Sequence, residues 1–370
     1  METSTGLSGR QFSLDAKNSW NEFISTSPYG DILHFWQWGE VKRGEGWEPY
    51  RLGVLQYDKL IIAAQCLIKR APGLGSVLYI PYGPVFHSVS DLETGIHELK
   101  HLLLNIAKEH NCFAIELEPK LGTAIDDLSP YKNLQHFTDH KILHIFEKEG
   151  FNLSGRNMQP KFKLFYDLEQ SEDELLALMK KNTRYNVRLA AKKGVKINSY
   201  LPDDPQTGAK VNEFYELLKQ TQERAKGYPI RPFSTFRNLF AEFKGTQNLV
   251  LYEAVYEGKV IAMNITERTG FWSSSFYAAS NRLYPEVKAP YLLRWESVKD
   301  AKAFGSKIYD FWGIIPGSEQ HHGYSDTKIS FGGARIDYYG ILAMPLVRSK
   351  YFFWNRLLPL RAKLSEKLRR

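Results

Sequence analysis

One order of elements occurs twice in this chain: strand, hairpin, strand, strand, helix, strand. That repetition limits the fold more than any other feature. The first copy reads as a strand over 50–56, a turn at 57–59 and a strand over 60–69. A loop holding Pro72 and Gly73 follows, then a strand at 76–80, a helix of about twenty residues over 91–109 by its apolar period, and a buried strand at 112–117 before Pro119. The second copy reads as strand 248–256, turn 257–259, strands 260–267 and 271–278, helix 290–304 and strand 307–312. The segments LGVLQYDKLIIAAQCLI and LYEAVYEGKVIAMNI match in pattern and partly in residues. A chain of 370 residues exceeds what one core usually organises, so the two copies read as two domains.

Composition removes several classes. With 43% hydrophobic and 24% charged residues the chain is neither disordered, collagen-like nor a coiled coil. Its two cysteines, Cys66 and Cys112, lie in apolar runs and are expected to be buried free thiols rather than a disulfide framework. The N-terminus has neither the basic start nor the apolar stretch of a secretory signal, and no run approaches the ~18 apolar residues of a membrane span. A soluble, cytoplasmic protein is expected.

The charge is unevenly placed. Between Arg348 and Arg370 eight basic residues face one acid, Glu366, so this segment holds +7 of the net +8. Leu360, Leu364 and Leu368 recur every four residues after Pro359, predicting a final amphipathic helix. Tyr351-Phe352-Phe353-Trp354 precedes it, an aromatic cluster of the kind found at membrane interfaces. A second basic run, Lys180 to Lys196, has seven basic residues and no acid, which points to a polyanion. It lies on a helix over 183–193 ended by Gly194, after a helix opened by a Ser171/Glu174 capping box.

Three short motifs carry little. His97-Glu98-Leu99-Lys100-His101 spells HExxH, yet no third zinc ligand is evident and its helix belongs to the repeat, so no metal is expected. Arg70 to Gly75 spells the RxxGxG of a pyrophosphate loop, but a strand follows where a helix N-terminus is required. His321-His322 has no partner cluster. A nucleophile elbow, a Walker loop and a dinucleotide fingerprint are all absent from the sequence.

Six ordered blocks carry a resemblance. They are HFWQWGEVKRGEGWEPYRL, YIPYGPV, IELEP, KKNTRYNVRLAAKKGV, SFYAASNRLYPEVKAPYLLRWESVKDAKAFGSKIYDFWGI and GYSDTKISFGG. Together they resemble the FemABX family, aminoacyl-tRNA-dependent transferases that build peptidoglycan cross-bridges in the bacterial cell wall. The resemblance implies an α/β fold of two tandem GNAT-like domains (the acyl-CoA N-acyltransferase fold), which agrees with the repeat. The expected division is 1–160 plus 341–370, and 161–340. Fewer than twenty residues separate Arg231 from the strand at Asn248, so the long helical arm of some members is not expected and the chain resembles the FemX type.

The implied reaction is aminolysis: a stem-peptide amine on a lipid-linked or UDP-linked precursor attacks an amino acid esterified to tRNA, which is co-substrate rather than cofactor. By the resemblance, Lys42 and Arg231 grip the precursor diphosphate, and Tyr277 contacts the substrate. Glu118 orients or deprotonates the amine, and Lys328 stabilises negative charge at the tRNA end. Lys180, Lys181, Arg184 and Arg188 would meet tRNA phosphates. Two positions depart from the family pattern: Tyr82 stands where an arginine is usual, and Thr327 where a phenylalanine precedes the lysine. A monomer is expected, with peripheral contact at the inner membrane face through the basic aromatic C-terminus. An acyl-CoA-dependent N-acyltransferase acting on another envelope polymer is the rival reading.

Overall fold

Residues 6–224, 229–316 and 322–357 are described by the structure, a computed structural model, with backbone alone for 322–324 and 357. The expected final helix and the pair His321-His322 lie largely outside these residues. The chain forms two units. One contains the residues up to Gly122, Asp139–Gln159 and those from Tyr339; the other contains Thr123–Thr138 and Pro160–Tyr338. The expected boundaries differ from this division mainly at Thr123–Thr138, which the structure assigns to the second unit.

The first unit runs β1 (Leu7–Gln11), α1 (Lys17–Thr26), α2 (Trp36–Arg43), β2 (Glu48–Gln56), β3 (Lys59–Ala71), β4 (Gly75–Pro81), β5 (Val85–Phe86), α3 (Val89–Glu109) and β6 (Cys112–Glu118). The chain passes through β7 (Gly122–Ala124) and returns as α4 (His140–Lys148) and β8 (Asn152–Leu153). The β2/β3 turn puts Tyr57 and Asp58 at φ +49° and +61°, which matches the right-handed twist of the flanking strands. A capping box between Ser88 and Asp91 starts α3. Its Leu92, Ile96, Leu99, Leu103 and Ile106 form one buried stripe, each worth about 1.5–3 kcal/mol relative to exposure. β4 and β6 on either side of this helix are parallel. The RxxGxG stretch is the β3/β4 hairpin, with Ala71 opposite Gly75 and Arg70 opposite Ser76.

The second unit continues with β9 (Phe162–Asp167), α5 (Glu172–Leu178), α6 (Lys181–Lys192), β10 (Lys196–Tyr200), α7 (Thr207–Arg224), α8 (Phe233–Glu242), β11 (Leu249–Tyr256), β12 (Lys259–Arg268) and β13 (Trp272–Ser280). It closes with α9 (Ala289–Phe304), β14 (Ile308–Ile314), α10 (His322–Ile329) and β15 (Ala334–Tyr338). The β11/β12 turn repeats the first unit's device, with Glu257 and Gly258 at φ +48° and +74°. Again the strands flanking the long helix, β13 and β14, are parallel. Here the ladder stops after three pairs, Trp272↔Ile308 to Ser274↔Asp310, although both strands run on. They part at that point.

The chain then re-enters the first unit as β16 (Leu342–Pro345) and α11 (Arg348–Phe352). The first sheet has the order β1-β2-β3-β4-β6-β16-β8, with β5 beside β3. The second has the order β10-β11-β12-β13-β14-β9-β15-β7. Among the described residues there is no long helical arm and no helix long and apolar enough to cross a membrane. Cys66 and Cys112 are free and buried, as expected.

Candidate functional site

In the second unit the site is built where β13 and β14 part. Asp310 lies at the end of the ladder. One carboxylate oxygen accepts the Trp312 backbone N–H at 2.7 Å, and the other pairs with Lys163 Nζ at 2.6 Å. This holds Trp312 in the left-handed region at φ +64°, under the Lys163 ammonium 4.2 Å from its ring. The resulting bulge presents the Gly313 carbonyl, which accepts from Lys328 Nζ at 3.0 Å. Lys328 is 1% exposed. Burial holds its pKa well below the ordinary lysine range; the nearby Arg294 and Lys163 cations add to this, and Asp310 opposes it.

Lys328 sits on α10, a segment that the sequence marks only by its motif. The Gly332-Gly333 pair that follows has a steric reason. Both residues have positive φ, and a Cβ on either would lie 2.1 Å from the Leu178 carbonyl oxygen or 2.3 Å from that of Phe165.

A cavity of about 620 Å³ lies on the other side of α10. Lys180, Lys181, Thr183 and Asn186 line it from the start of α6, with Tyr291 from α9 and Asp326, Thr327 and Ser330 opposite. Thr183 Oγ1 donates to Ser330 Oγ at 2.8 Å, tying the two elements together. The N-terminus of α6 has no acid in its first turn and adds its dipole to the two lysines. Arg188 is exposed on the same helix. Arg184 has a different position: its guanidinium donates to the carbonyls of Leu176, Ala177 and Met179 and so closes the C-terminus of α5.

Tyr277 is half-buried on β13, edge-on to Phe236 of α8 at 4.9 Å and against Phe276 at 4.5 Å. Phe276 in turn meets Trp312 at 5.0 Å, so an aromatic row joins Tyr277 to the bulge beside Lys328. Arg231 is exposed just ahead of α8.

In the first unit, Lys42 occupies the last turn of α2. Gly39 lets that helix lie close to its sheet, because a Cβ there would fall 2.2 Å from Arg51 Nη2. Lys42 Nζ contacts Glu45 Oε2 at 2.5 Å and lies 5.4 and 5.7 Å from the rings of Trp38 and Trp47. Trp47 meets Tyr79 at 6.3 Å, and the Tyr79 hydroxyl donates to Glu118. Lys42 and Glu118 thus belong to one connected cluster.

Glu118 is 2% exposed. It also accepts the backbone N–H groups of Met158 and Gln159, both at 3.0 Å, and burial pushes its carboxyl up to about 7 despite these donors. Trp47, Tyr79 and Gln159 were not picked out from the sequence. Trp47 and Tyr79 do fall inside two of the quoted blocks.

The departure at Tyr82 is buried in the core, with Lys120 Nζ 5.7 Å from its ring. The HExxH pair His97 and His101 share a contact at 3.1 Å and His97 meets Glu149 at 3.2 Å, while Glu98 lies against Gly9 of β1. Among the described residues no group of three side chains is placed to hold a metal.

Two tandem α/β units, each with one parallel strand pair astride a long helix, define the GNAT-like class. A sequence model of the FemAB family matches residues 16–269 and 253–357, and the chain belongs to that family. Among curated relatives, a lipid II:glycine glycyltransferase of Staphylococcus saprophyticus is 29% identical over 221 residues, 59% of this chain and 49% of the relative. That of Staphylococcus aureus is 31% identical over 221 residues, 59% and 48%. That of Staphylococcus haemolyticus is 28% identical over 250 residues, 66% and 55%. The chain spans about half the length of the curated relatives it matches.

The crystal structure of FemX superposes with a TM-score of 0.79 at 18% identity, covering 94% of this chain and 100% of that one. A tandem GNAT protein from the clavulanic acid pathway gives 0.50 at 12% identity, covering 92% and 98%. These likenesses show the fold: two tandem GNAT-like units.

Proposed function

We propose that the chain is an aminoacyltransferase that moves an amino acid from aminoacyl-tRNA to the stem-peptide amine of a peptidoglycan precursor. The lipid II:glycine glycyltransferase relatives support the substrate class. The observation that carries the reading is Lys328, buried on the same helical turn that lines the lysine-rimmed cavity.

The amine nitrogen attacks the ester carbonyl carbon and forms an oxyanion. The carbon–oxygen bond to the ribose then breaks, an amide forms, and the proton lost by the amine goes to the ribose oxygen. Lys328 is penalised as a cation by its burial and by the Arg294 and Lys163 cations, which outweigh the nearby Asp310 carboxylate. An arriving oxyanion or phosphate favours its charged form, so its stabilisation is larger in the transition state than in the free enzyme. Lys180, Lys181 and Arg188 meet the tRNA phosphates, giving affinity without reading sequence.

Glu118, with a carboxyl near neutral, receives the amine proton, and Tyr79 orients it. Lys42 and Arg231 hold the precursor diphosphate, and Tyr277 borders the acyl group. Arg184 remains a brace for α5. The reaction takes place in the cytoplasm at the inner membrane face and needs no metal or cofactor.

The test is transfer of radiolabelled amino acids from a total charged-tRNA pool to nucleotide-linked and lipid-linked precursors, with RNase, acetyl-CoA and Lys328→Ala arms. RNase-sensitive labelling that Lys328→Ala abolishes is expected, and it identifies amino acid and acceptor together. Labelling from acyl-CoA alone would replace the reading with the rival N-acyltransferase.

A further inference from the structure

The segment from Leu346 to Arg356 has two faces of opposite character. One is locked to the first unit. The backbone N–H groups of Leu346 and Val347 both donate to the Phe113 carbonyl, at 2.9 and 3.0 Å. Tyr351 is buried in a core cluster with Val77, Phe113 and Ala343. Trp354 stands edge-on to Phe113 at 5.7 Å, under the Arg156 guanidinium. Asn355 Nδ2 donates to the Ser154 carbonyl at 3.3 Å.

The other face is open. Phe352 is 61% exposed, Phe353 41%, Val347 39% and Leu346 36%. Arg348, Lys350 and Arg356 are exposed among them, and no acid occurs from Leu346 to Arg356. The structure therefore splits the aromatic cluster seen in the sequence: Tyr351 and Trp354 are anchors, and the two phenylalanines point outward.

We propose that this face is a docking surface for an anionic lipid bilayer. Rings and aliphatic side chains on a short rigid element enter the interface, while flanking cations meet lipid phosphates. The composition favours this occupant. A second copy of the same face would set cations against cations across a two-fold axis. RNA would use the cations and could stack on the rings, but would give Leu346 and Val347 nothing to bury against. The following sequence adds Arg361, Lys363, Lys367, Arg369 and Arg370 against Glu366, so attraction to an anionic surface continues along the chain. This inference uses residues of the first unit alone and stands independently of the reaction proposed above.

The experiment is flotation of the full chain with phosphatidylcholine vesicles and with vesicles containing 30% phosphatidylglycerol. Binding to the anionic vesicles is expected, falling roughly tenfold or more in F352S/F353S and by a similar factor in R348Q/K350Q. Added salt should weaken wild type more than R348Q/K350Q. Tyr57→Ser, at an exposed aromatic of the β2/β3 turn, should bind as wild type does. Urea midpoints equal to wild type would show that the variants are folded, as expected for outward-facing side chains. Equal flotation of wild type and F352S/F353S would overturn the proposal. So would a phenylalanine-dependent dimer in solution, or capture of RNA in place of vesicles.

Discussion

The Tyr79 hydroxyl donates its hydrogen bond to the Glu118 carboxylate, and both side chains are 2% exposed. Gln159 Nε2 donates to the Tyr79 oxygen at 3.2 Å, and the Gln159 backbone N–H to Glu118. A carboxyl near neutral is therefore anchored from two directions, by a strand and by the last residues of the first unit's middle segment.

Glu118 should make stability fall with rising pH. Its folded pKa of about 7 lies above the usual 4.5, so between those values the folded state holds the proton more tightly. The contribution is complete below about pH 4.5 and lost as pH rises through about 7, amounting to a few kcal/mol at most. Urea unfolding across pH 4–8 should show this decline in wild type and not in Glu118→Gln. In transfer assays, Tyr79→Phe removes a donor to the carboxylate and should move the acid limb of the rate profile to higher pH.

Lys328 should trade stability for activity. Its lowered pKa means that the folded state penalises the charged form; the penalty is in full force below the folded pKa and fades as pH rises towards the ordinary lysine range. Lys328→Met removes the penalty but orphans the Gly313 carbonyl. The expected outcome is stability unchanged or raised by up to ~2 kcal/mol, with transfer lowered ~100-fold or more. Urea midpoints and single-turnover rates on one preparation decide it. A destabilised variant with intact transfer would contradict the assigned role.

Asp310 should be costly to remove alone. Asp310→Ala leaves Lys163 a buried cation without its carboxylate, for which about 3–5 kcal/mol is expected. Replacing both, as K163M/D310L, should recover much of the loss of stability. The bulge would no longer be pinned, so transfer should stay low in the double variant. A thermal melt series with its double-mutant cycle measures the coupling.

Basic residues of the KKNTRYN block should separate by task. Lys180→Ala and Lys181→Ala should weaken tRNA binding and lower the salt slope by about 1 each, leaving thermal stability unchanged. Arg184→Ala should lower stability by about 1–2 kcal/mol, because the carbonyls of Leu176, Ala177 and Met179 at the end of α5 lose the guanidinium, and Leu176 keeps only the Met179 N–H. Filter binding at several salt concentrations, paired with melting curves, separates the two.

What the sequence disclosed follows the range of the interactions involved. The two hairpins, α3, α6 and α9 were legible because turn chemistry and apolar period are local. The brief strand β16 was not, since its pairing with β6 and β8 joins residues far apart in the chain. In β9 a lysine interrupts the apolar run, and only the structure shows that Lys163 is buried against Asp310. Lys328 could be named from a motif, whereas its burial depends on α10 docking against β14, a contact with no signature in either segment. Tyr79 was hidden by its setting, an aromatic in a strand that is buried at every residue after its first.

The placement of β16 also matters while the protein is being made. It lies between β6 and β8 in the first sheet, but emerges only after the whole of Pro160–Tyr338. At ~5–20 residues per second, the ribosome leaves the N-terminal unit without its inner strand for on the order of ten seconds or more. During that interval β6 offers an open edge that another nascent chain can join. The first unit is begun first and finished last, and the late strand closes it against misassembly.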